Sequence, residues 1–382
     1  MRYSHPQVRQ TARRIPILCA IYFALFSFFW LFFLQRDLLA QTQFVMSGGT
    51  TIYRPVSAAL LCTFLLTGIG GILTRLFSWL PLRMGVLAWF PSFILLGLLT
   101  HWHFPMLADA GSSPHWSVYL LLFFLFLLGL FLGRYIPDSS KENGTFSTYA
   151  WPNLLGLLLF SSVCVGISNT DIRLHRTLLS ARCLEEGDYG RALRAARWET
   201  HPSRLLSAQT ALALSERGIL GDSLFYYPQP YGSEGLLPLP SDSVLFVDFP
   251  LAAGLHLGYK RGAHTRATFF LQVIANREKA RPAVRQYLLS AHLLDKQLGR
   301  FRSELLHGDT LSAESLPMHY REALVLYQAV DSMLQPRLED SLLVARYEEF
   351  DSLRHTLGKR RERQYRVREQ FANTYWYYYF FE

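Results

Sequence analysis

Few side chains in this sequence combine the type and spacing that chemistry needs. His101 and His103 form an HxH step that brings two imidazoles close enough to start a transition-metal site. His115 and Asp109 are the nearest further ligands, and no cysteine joins them, so the histidines stand as bare candidates beside Trp102 and Trp116. Asp37 is the only acid before Asp109 and follows a long apolar run, where it can act as a general base near a membrane surface. Tyr226, Tyr227, Gln229 and Tyr231 cluster in a proline-rich segment and are of the types that anchor a partner. Gly258–Gly262, GYKRG, is not a phosphate loop, because the order GxxxxGK[ST] is missing. The four cysteines, Cys19, Cys62, Cys164 and Cys183, make no CxxC pair, and only Cys183 lies in the second half, so no disulfide can close within it. No cofactor motif is present.

The segments that must position these residues fall into two halves. Of 38 Lys/Arg and 29 Asp/Glu, residues 1–170 hold ten and four, leaving 28 and 25 for residues 171–382. The first half is nearly free of charge and the second is rich and nearly balanced in it. Five apolar runs approach the ~20 residues that a bilayer requires: about 15–34, 56–74, 84–100, 116–133 and 151–168. Pro91 falls inside the third, which a membrane helix tolerates where neighbours satisfy the freed carbonyl. No span carries a charge near its centre, which argues against an ion-coupled transporter or channel. Gly129 and Gly133 make a GxxxG that suits close packing, within the chain or between copies.

Loop charge sets an expected orientation. With the N-terminus inside, the inner segments carry Arg2, Arg9, Arg13, Arg14, Arg75, Arg83, Arg134 and Lys141, against Arg36 and Arg54 outside. Basic residues concentrate on the cytoplasmic side, so five crossings place the rest of the chain outside the cytoplasm. The excess of positive charge belongs mostly to this half. It marks orientation rather than nucleic acid, which is not expected as a partner; Lys359–Arg368 reads as a solvated helix face or a contact with anionic headgroups. Asn143-Gly144-Thr145 matches a glycosylation sequon but falls on the expected inside.

From Asp171 onward apolar residues recur at helical spacing, punctuated by glycine. Gly187, Gly218, Gly262 and Gly299 are spaced by 31, 44 and 37 residues, close to the ~34-residue period of the tetratricopeptide repeat, or TPR, in which a glycine closes the first helix of each pair. Arg176 departs from that pattern by standing where a large apolar residue is expected. Tyr226–Pro250 interrupts the series with five prolines and reads as a long loop, either functional or packed along its own repeats. A charged helix is expected from about 338 to 372. The ending Tyr375–Phe381 is seven successive aromatics, which must dock on the protein or sit at the membrane interface.

Several stretches together resemble a family of membrane proteins of unknown function from Bacteroidota: the span layout, QPYGSEGLLP at 229–238, HLGYKRGAHTRATFF at 256–270, RPAVRQYLLSAHLLDKQLGRF at 281–301 and the TYWYYYFF ending. The resemblance implies an inner-membrane protein with a periplasmic TPR-like region and carries over no functional residues. The expected fold is all-α, with a five-helix transmembrane bundle over 1–169 and a TPR-like helical-hairpin solenoid over 170–382. The expected function is a scaffold embedded in the lipid bilayer that binds a protein partner in the cell envelope. The alternative is a polytopic enzyme of glycosyltransferase type acting on a lipid-linked substrate, with Asp37 as base, although the second acid such a site calls for is missing.

Overall fold

The apolar runs of the first half and the periodic segments of the second all become helix. The computed structural model describes residues 6–47, 50–51, 53–101, 116–135, 145–238, 249–259, 266–306, 316–330, 340–355 and 360–382, and no strand occurs among them. Packing divides the chain into two units, Met1–His175 and Arg176–Glu382.

The first unit holds α1 (Pro6–Phe29), which runs on through a π-turn at Trp30–Leu34, then α2 (Arg36–Ser47), α3 (Pro55–Leu76), a 3-10 stretch at Leu82–Trp89, α4 (Phe90–Leu99), α5 (Trp116–Tyr135) and α6 (Phe146–Ile167). Five stretches are long and apolar enough to cross a membrane: Gln10–Leu34, Pro55–Leu76, Leu82–Leu99, Ser117–Tyr135 and Phe146–Ile167. Outward-facing Leu25, Phe64 and Phe124 are well exposed. Inside, Phe23 meets Phe93 edge-on at 4.8 Å beside Trp89 and Phe160.

The third span departs from a uniform helix, and Pro91 explains it. Proline has no N–H to give a preceding turn but suits the first turn of a new helix. Accordingly α4 starts at Phe90 and the residues before it wind as 3-10. Irregular backbone inside a membrane needs polar neighbours, and Asn153 of α6 supplies them. Its Oδ1 accepts from the Val86 N–H at 2.7 Å and its Nδ2 donates to the Leu82 carbonyl at 2.8 Å. The GxxxG face of α5 is taken up inside the chain. A Cβ on Gly133 would meet Leu80 at 2.8 Å, and one on Gly129 would meet Leu87 at 3.4 Å.

The second unit is a series of helices: α7 (Ile172–Glu185), α8 (Tyr189–Arg197), α9 (Arg204–Glu216), the short α10 (Leu220–Ser223), α11 (Phe249–Leu257), α12 (Ala267–Ala275), α13 (Pro282–Leu294), α14 (Leu298–Leu306), α15 (Met318–Val330), α16 (Ser341–His355), α17 (Arg360–Phe371) and α18 (Tyr375–Phe381). Neighbours along the chain pack on one another, α8 on α9, α12 on α13 and α13 on α14. Four helix ends close in the same way. At Gly187, Gly218, Gly258 and Lys296 the backbone turns left-handed, with φ of 74°, 70°, 77° and 57°. The next residue's N–H then bonds back five positions: Asp188 to Cys183, Ile219 to Leu214, Tyr259 to Gly254 and Gln297 to His292. This is the Schellman ending, which satisfies carbonyls that a helix end leaves unpaired.

Two of the expected glycine stops therefore move. Gly299 lies in the first turn of α14, and Lys296 takes the left-handed position instead. The third stop is Gly258, while Gly262 lies outside the described residues. Arg176 departs from repeat spacing because it is committed elsewhere: its guanidinium donates to Glu199 at 2.8 Å and to the Trp198 carbonyl at 2.9 Å, tying α7 to the end of α8.

The expected charged helix over 338–372 is two helices that fold back on each other. The rings of Phe350 and Phe371 stand 5.4 Å apart, whereas a continuous helix at ~1.5 Å per residue would hold them about 30 Å apart. The aromatic ending docks on the second unit, where Tyr375, Trp376, Tyr377 and Tyr378 are all buried.

Cys183, at the end of α7, is fully buried, and burial pushes its thiol above the ordinary value. Thiolate is the reactive form, so a maleimide is expected to leave Cys183 unmodified in the folded protein and to modify it after denaturation, as peptide mass analysis would show.

Candidate functional site

A cleft of about 1050 Å³ in the second unit is walled by α12, α13, α14 and the 3-10 turn Gly232–Leu236. Helical spacing builds its sides. Thr268, Gln272 and Asn276 recur four residues apart and so share one face of α12, while Arg300 and Glu304 do the same on α14. The C-terminal turn of α13 forms the floor with His292 and, just past it, Asp295.

The floor is polar and in part unsatisfied. His292 is only 4% exposed and its imidazole interacts with the Gln297 side chain, although neither its Nδ1 nor Gln297 Oε1, both buried, makes a hydrogen bond of good geometry. Two carboxylates are already engaged. Glu234 accepts from the Ala267 N–H at 2.9 Å, capping α12, and from Arg204 at 3.3 Å; Asp295 accepts from the Thr268 hydroxyl at 3.0 Å. Among the described residues no carboxylate pairs with Arg266 or Arg300 at the rim. Phe269 is the one large apolar side chain lining the cleft and is 65% exposed.

Burial holds the His292 imidazole below its ordinary pKa; Arg300 acts in the same direction, and Glu304, Asp295 and the hydrogen bond with Gln297 oppose it. A histidine whose folded pKa is depressed resists a proton that the unfolded chain accepts, so stability is lost as pH falls below the ordinary value of ~6.5. Relative to His292→Gln, the wild-type protein is expected to lose melting temperature between pH 7.5 and pH 5, as thermal unfolding in detergent at each pH would reveal.

The residues singled out from sequence are scattered. Tyr226 is 54% exposed and Tyr231 is 36% exposed, whereas Tyr227 is half-buried and Gln229 is buried, donating to the Leu224 carbonyl at 3.2 Å. The described part of their loop lies along its own unit, with Leu236 and Leu237 in the core. Asp37 sits in the first turn of α2 and is the only carboxylate among the described residues of 6–167. His101 directs Nδ1 at the Ile167 carbonyl and stands edge-on to Tyr119. His103 lies outside the described residues, and no group of three metal-ligating side chains occurs among those described.

Two further constellations escape sequence reading because each joins a local pair to a residue far along the chain. Ser215 Oγ lies 2.8 Å from His256 Nε2, and His256 Nδ1 lies 2.8 Å from Glu216 Oε1. This is the connectivity of a nucleophilic triad, but the neighbouring N–H groups of Arg217, Gly218 and Ile219 are committed to the Schellman ending of α9. None of them is left to hold an oxyanion, and the chain acts as a tie between α9 and α11. The second constellation is a buried His319–Glu322 pair at 2.9 Å whose carboxylate also receives the Tyr375 N–H at 2.7 Å. It anchors α18.

Comparison with known proteins gives one match. A family model described as a family of unknown function (DUF6057) covers residues 11–253 and 260–382. No curated protein and no solved structure matches. Because the match spans most of both units, the chain belongs to the DUF6057 family, a family of unknown function.

Proposed function

We propose that this protein is a membrane-anchored scaffold whose second unit, a TPR-like stack of helical hairpins on the periplasmic side of a bacterial inner membrane, binds a protein partner. The observation that carries the reading is the fourfold Schellman closure at Gly187, Gly218, Gly258 and Lys296. Its spacings of 31, 40 and 38 residues scatter around the ~34-residue period of a helical-hairpin repeat, an architecture whose extended surfaces suit protein recognition. The eight-to-two bias of basic residues in the loops supports the orientation. Tyr226 and Tyr231, exposed aromatics beside the buried Gln229, Leu236 and Leu237, are the anchors this reading favours.

The test is a photoreactive amino acid at Tyr226 or Tyr231 in the full chain, irradiated in the native envelope, with Glu278 as a control. A discrete protein adduct from the tyrosine positions is expected. If the adducts match those from Glu278, the scaffold reading falls. Orientation is checked separately with Glu278→Cys and a membrane-impermeant thiol reagent on spheroplasts, where protection until lysis would reverse it.

A further inference from the structure

The cleft between α12 and α14 points to a binding function separate from the partner reading. Its floor presents the His292 imidazole and the Gln297 amide, which interact with each other, while neither His292 Nδ1 nor Gln297 Oε1, both buried, makes a hydrogen bond of good geometry. Leaving a buried polar atom poorly paired is unfavourable, and such an atom in a native protein calls for an explanation. A ligand that delivers donors and acceptors to this depth supplies one. At the rim, Gln272 and Asn276 offer amides, Ser303 a hydroxyl and Glu304 a carboxylate, while Arg266 and Arg300 carry guanidinium groups that no described carboxylate pairs with.

The chemistry of this lining selects among ligand classes. A peptide binds through apolar and aromatic anchors seated in pockets, and Phe269 is the only large apolar residue here. A nucleic-acid strand requires a basic track with several stacking rings, which Asp295 and Glu304 oppose. A lipid chain would have to lie against amides and charges. A saccharide fits each element: every hydroxyl both donates and accepts, matching the imidazole, amide, carboxylate and hydroxyl groups present. The C–H face of a sugar ring covers an exposed aromatic such as Phe269. The unpaired guanidinium groups add a preference for an anionic substituent, which arginine binds through two parallel N–H donors. The volume, about 1050 Å³, lies at the upper end of ligand sites, which run from ~300 to ~1,000 Å³. We propose that the cleft between α12, α13 and α14 binds a saccharide bearing an anionic group, with Phe269 as the stacking surface and Arg300 as the anion contact.

The test uses the full chain in detergent and isothermal titration with four probes: a trigalacturonate, a hexose 6-phosphate, the neutral trigalactose and an acidic hexapeptide. At least one anionic sugar is expected to bind ten-fold or more tightly than the neutral one, the two anionic probes separating carboxylate from phosphate. Arg300→Gln is expected to remove that preference, and Phe269→Ala to weaken all sugar binding ten-fold or more. Both residues are exposed, so neither variant should alter thermal unfolding. Equal binding of neutral and anionic sugars, binding of the peptide alone, binding unaffected by both substitutions, or no binding by any probe would each overturn the proposal. None of these results bears on the crosslinks from Tyr226 and Tyr231, so the two readings fail separately.

Discussion

Trp376→Ala is expected to destabilise the second unit by about 3–5 kcal/mol, the range for removing a large aromatic from a core. Trp376 is fully buried, packed against Tyr347 at 5.2 Å and Phe350 at 5.8 Å. Its indole N–H donates to the Glu322 carbonyl at 2.8 Å. The loss reaches beyond one cavity because α18 completes another helix. The Tyr375 and Tyr378 hydroxyls donate to the Leu293 and Leu294 carbonyls at 3.2 and 2.8 Å. Those are last-turn carbonyls of α13, the groups that a helix end leaves short of partners. Burial accordingly pushes both phenols above their ordinary range. Most single domains have only about 5–15 kcal/mol in total, so the variant should be largely protease-sensitive at 37 °C. Trp376→Phe keeps the ring and loses one hydrogen bond, about 1 kcal/mol. Limited proteolysis of the detergent-solubilised protein, with unfolding followed by near-ultraviolet circular dichroism, reads both. Resistance of Trp376→Ala equal to wild type would mean that α18 is an accessory rather than part of the core.

How this helix reads in sequence and in structure shows where local reasoning stops. Seven successive aromatics announced that the ending could not face water, but composition alone offers two apolar environments, the membrane interface and the protein. The choice lies in side chains more than 50 residues away, Glu322 on α15 and the carbonyls that end α13. The apolar runs of the first unit were legible because a span is a property of one segment. Pro91 was visible too, though not the 3-10 winding before it, nor Asn153, 62 residues on, which makes the irregular backbone tolerable. In the second unit the hairpin closures at Gly187 and Gly218 could be read from glycine itself. The closure at Lys296 could not, since a lysine in left-handed backbone carries no sequence signature. The cleft was not legible at all. Its residues come from Ser233 to Glu304, and nothing local distinguishes His292 or Gln297 from an ordinary helix position. Conversely, Tyr226, Tyr227, Gln229 and Tyr231 look like one group in sequence, yet a single 3-10 turn and one side-chain bond send Gln229 inward and leave Tyr226 out.

The second large effect is expected at Glu322, which is 2% exposed beside a His319 that is 1% exposed. One carboxylate oxygen accepts both the His319 Nδ1–H at 2.9 Å and the Tyr375 N–H at 2.7 Å. That arrangement binds the first turn of α18 to α15, with Phe225 standing edge-on to the imidazole at 5.0 Å. Glu322→Ala strands two buried donors at once, and breaking a buried pair by deleting one partner typically costs about 3–5 kcal/mol. Glu322→Gln separates the contributions of charge and shape, since with its amide oxygen in the Oε2 position it still accepts from both donors, but as a neutral and therefore weaker acceptor. An intermediate loss is therefore expected, smaller than for alanine and larger than the few tenths of an isosteric surface change. Glu322→Ala and Trp376→Ala should also be strongly non-additive. Residues in one network share their energy, and once α18 has been released by either substitution the other has little left to remove. Measured by chemical denaturation of the two single variants and the double variant, a double loss equal to the sum would show that the carboxylate and the indole hold separate structures rather than one docked helix.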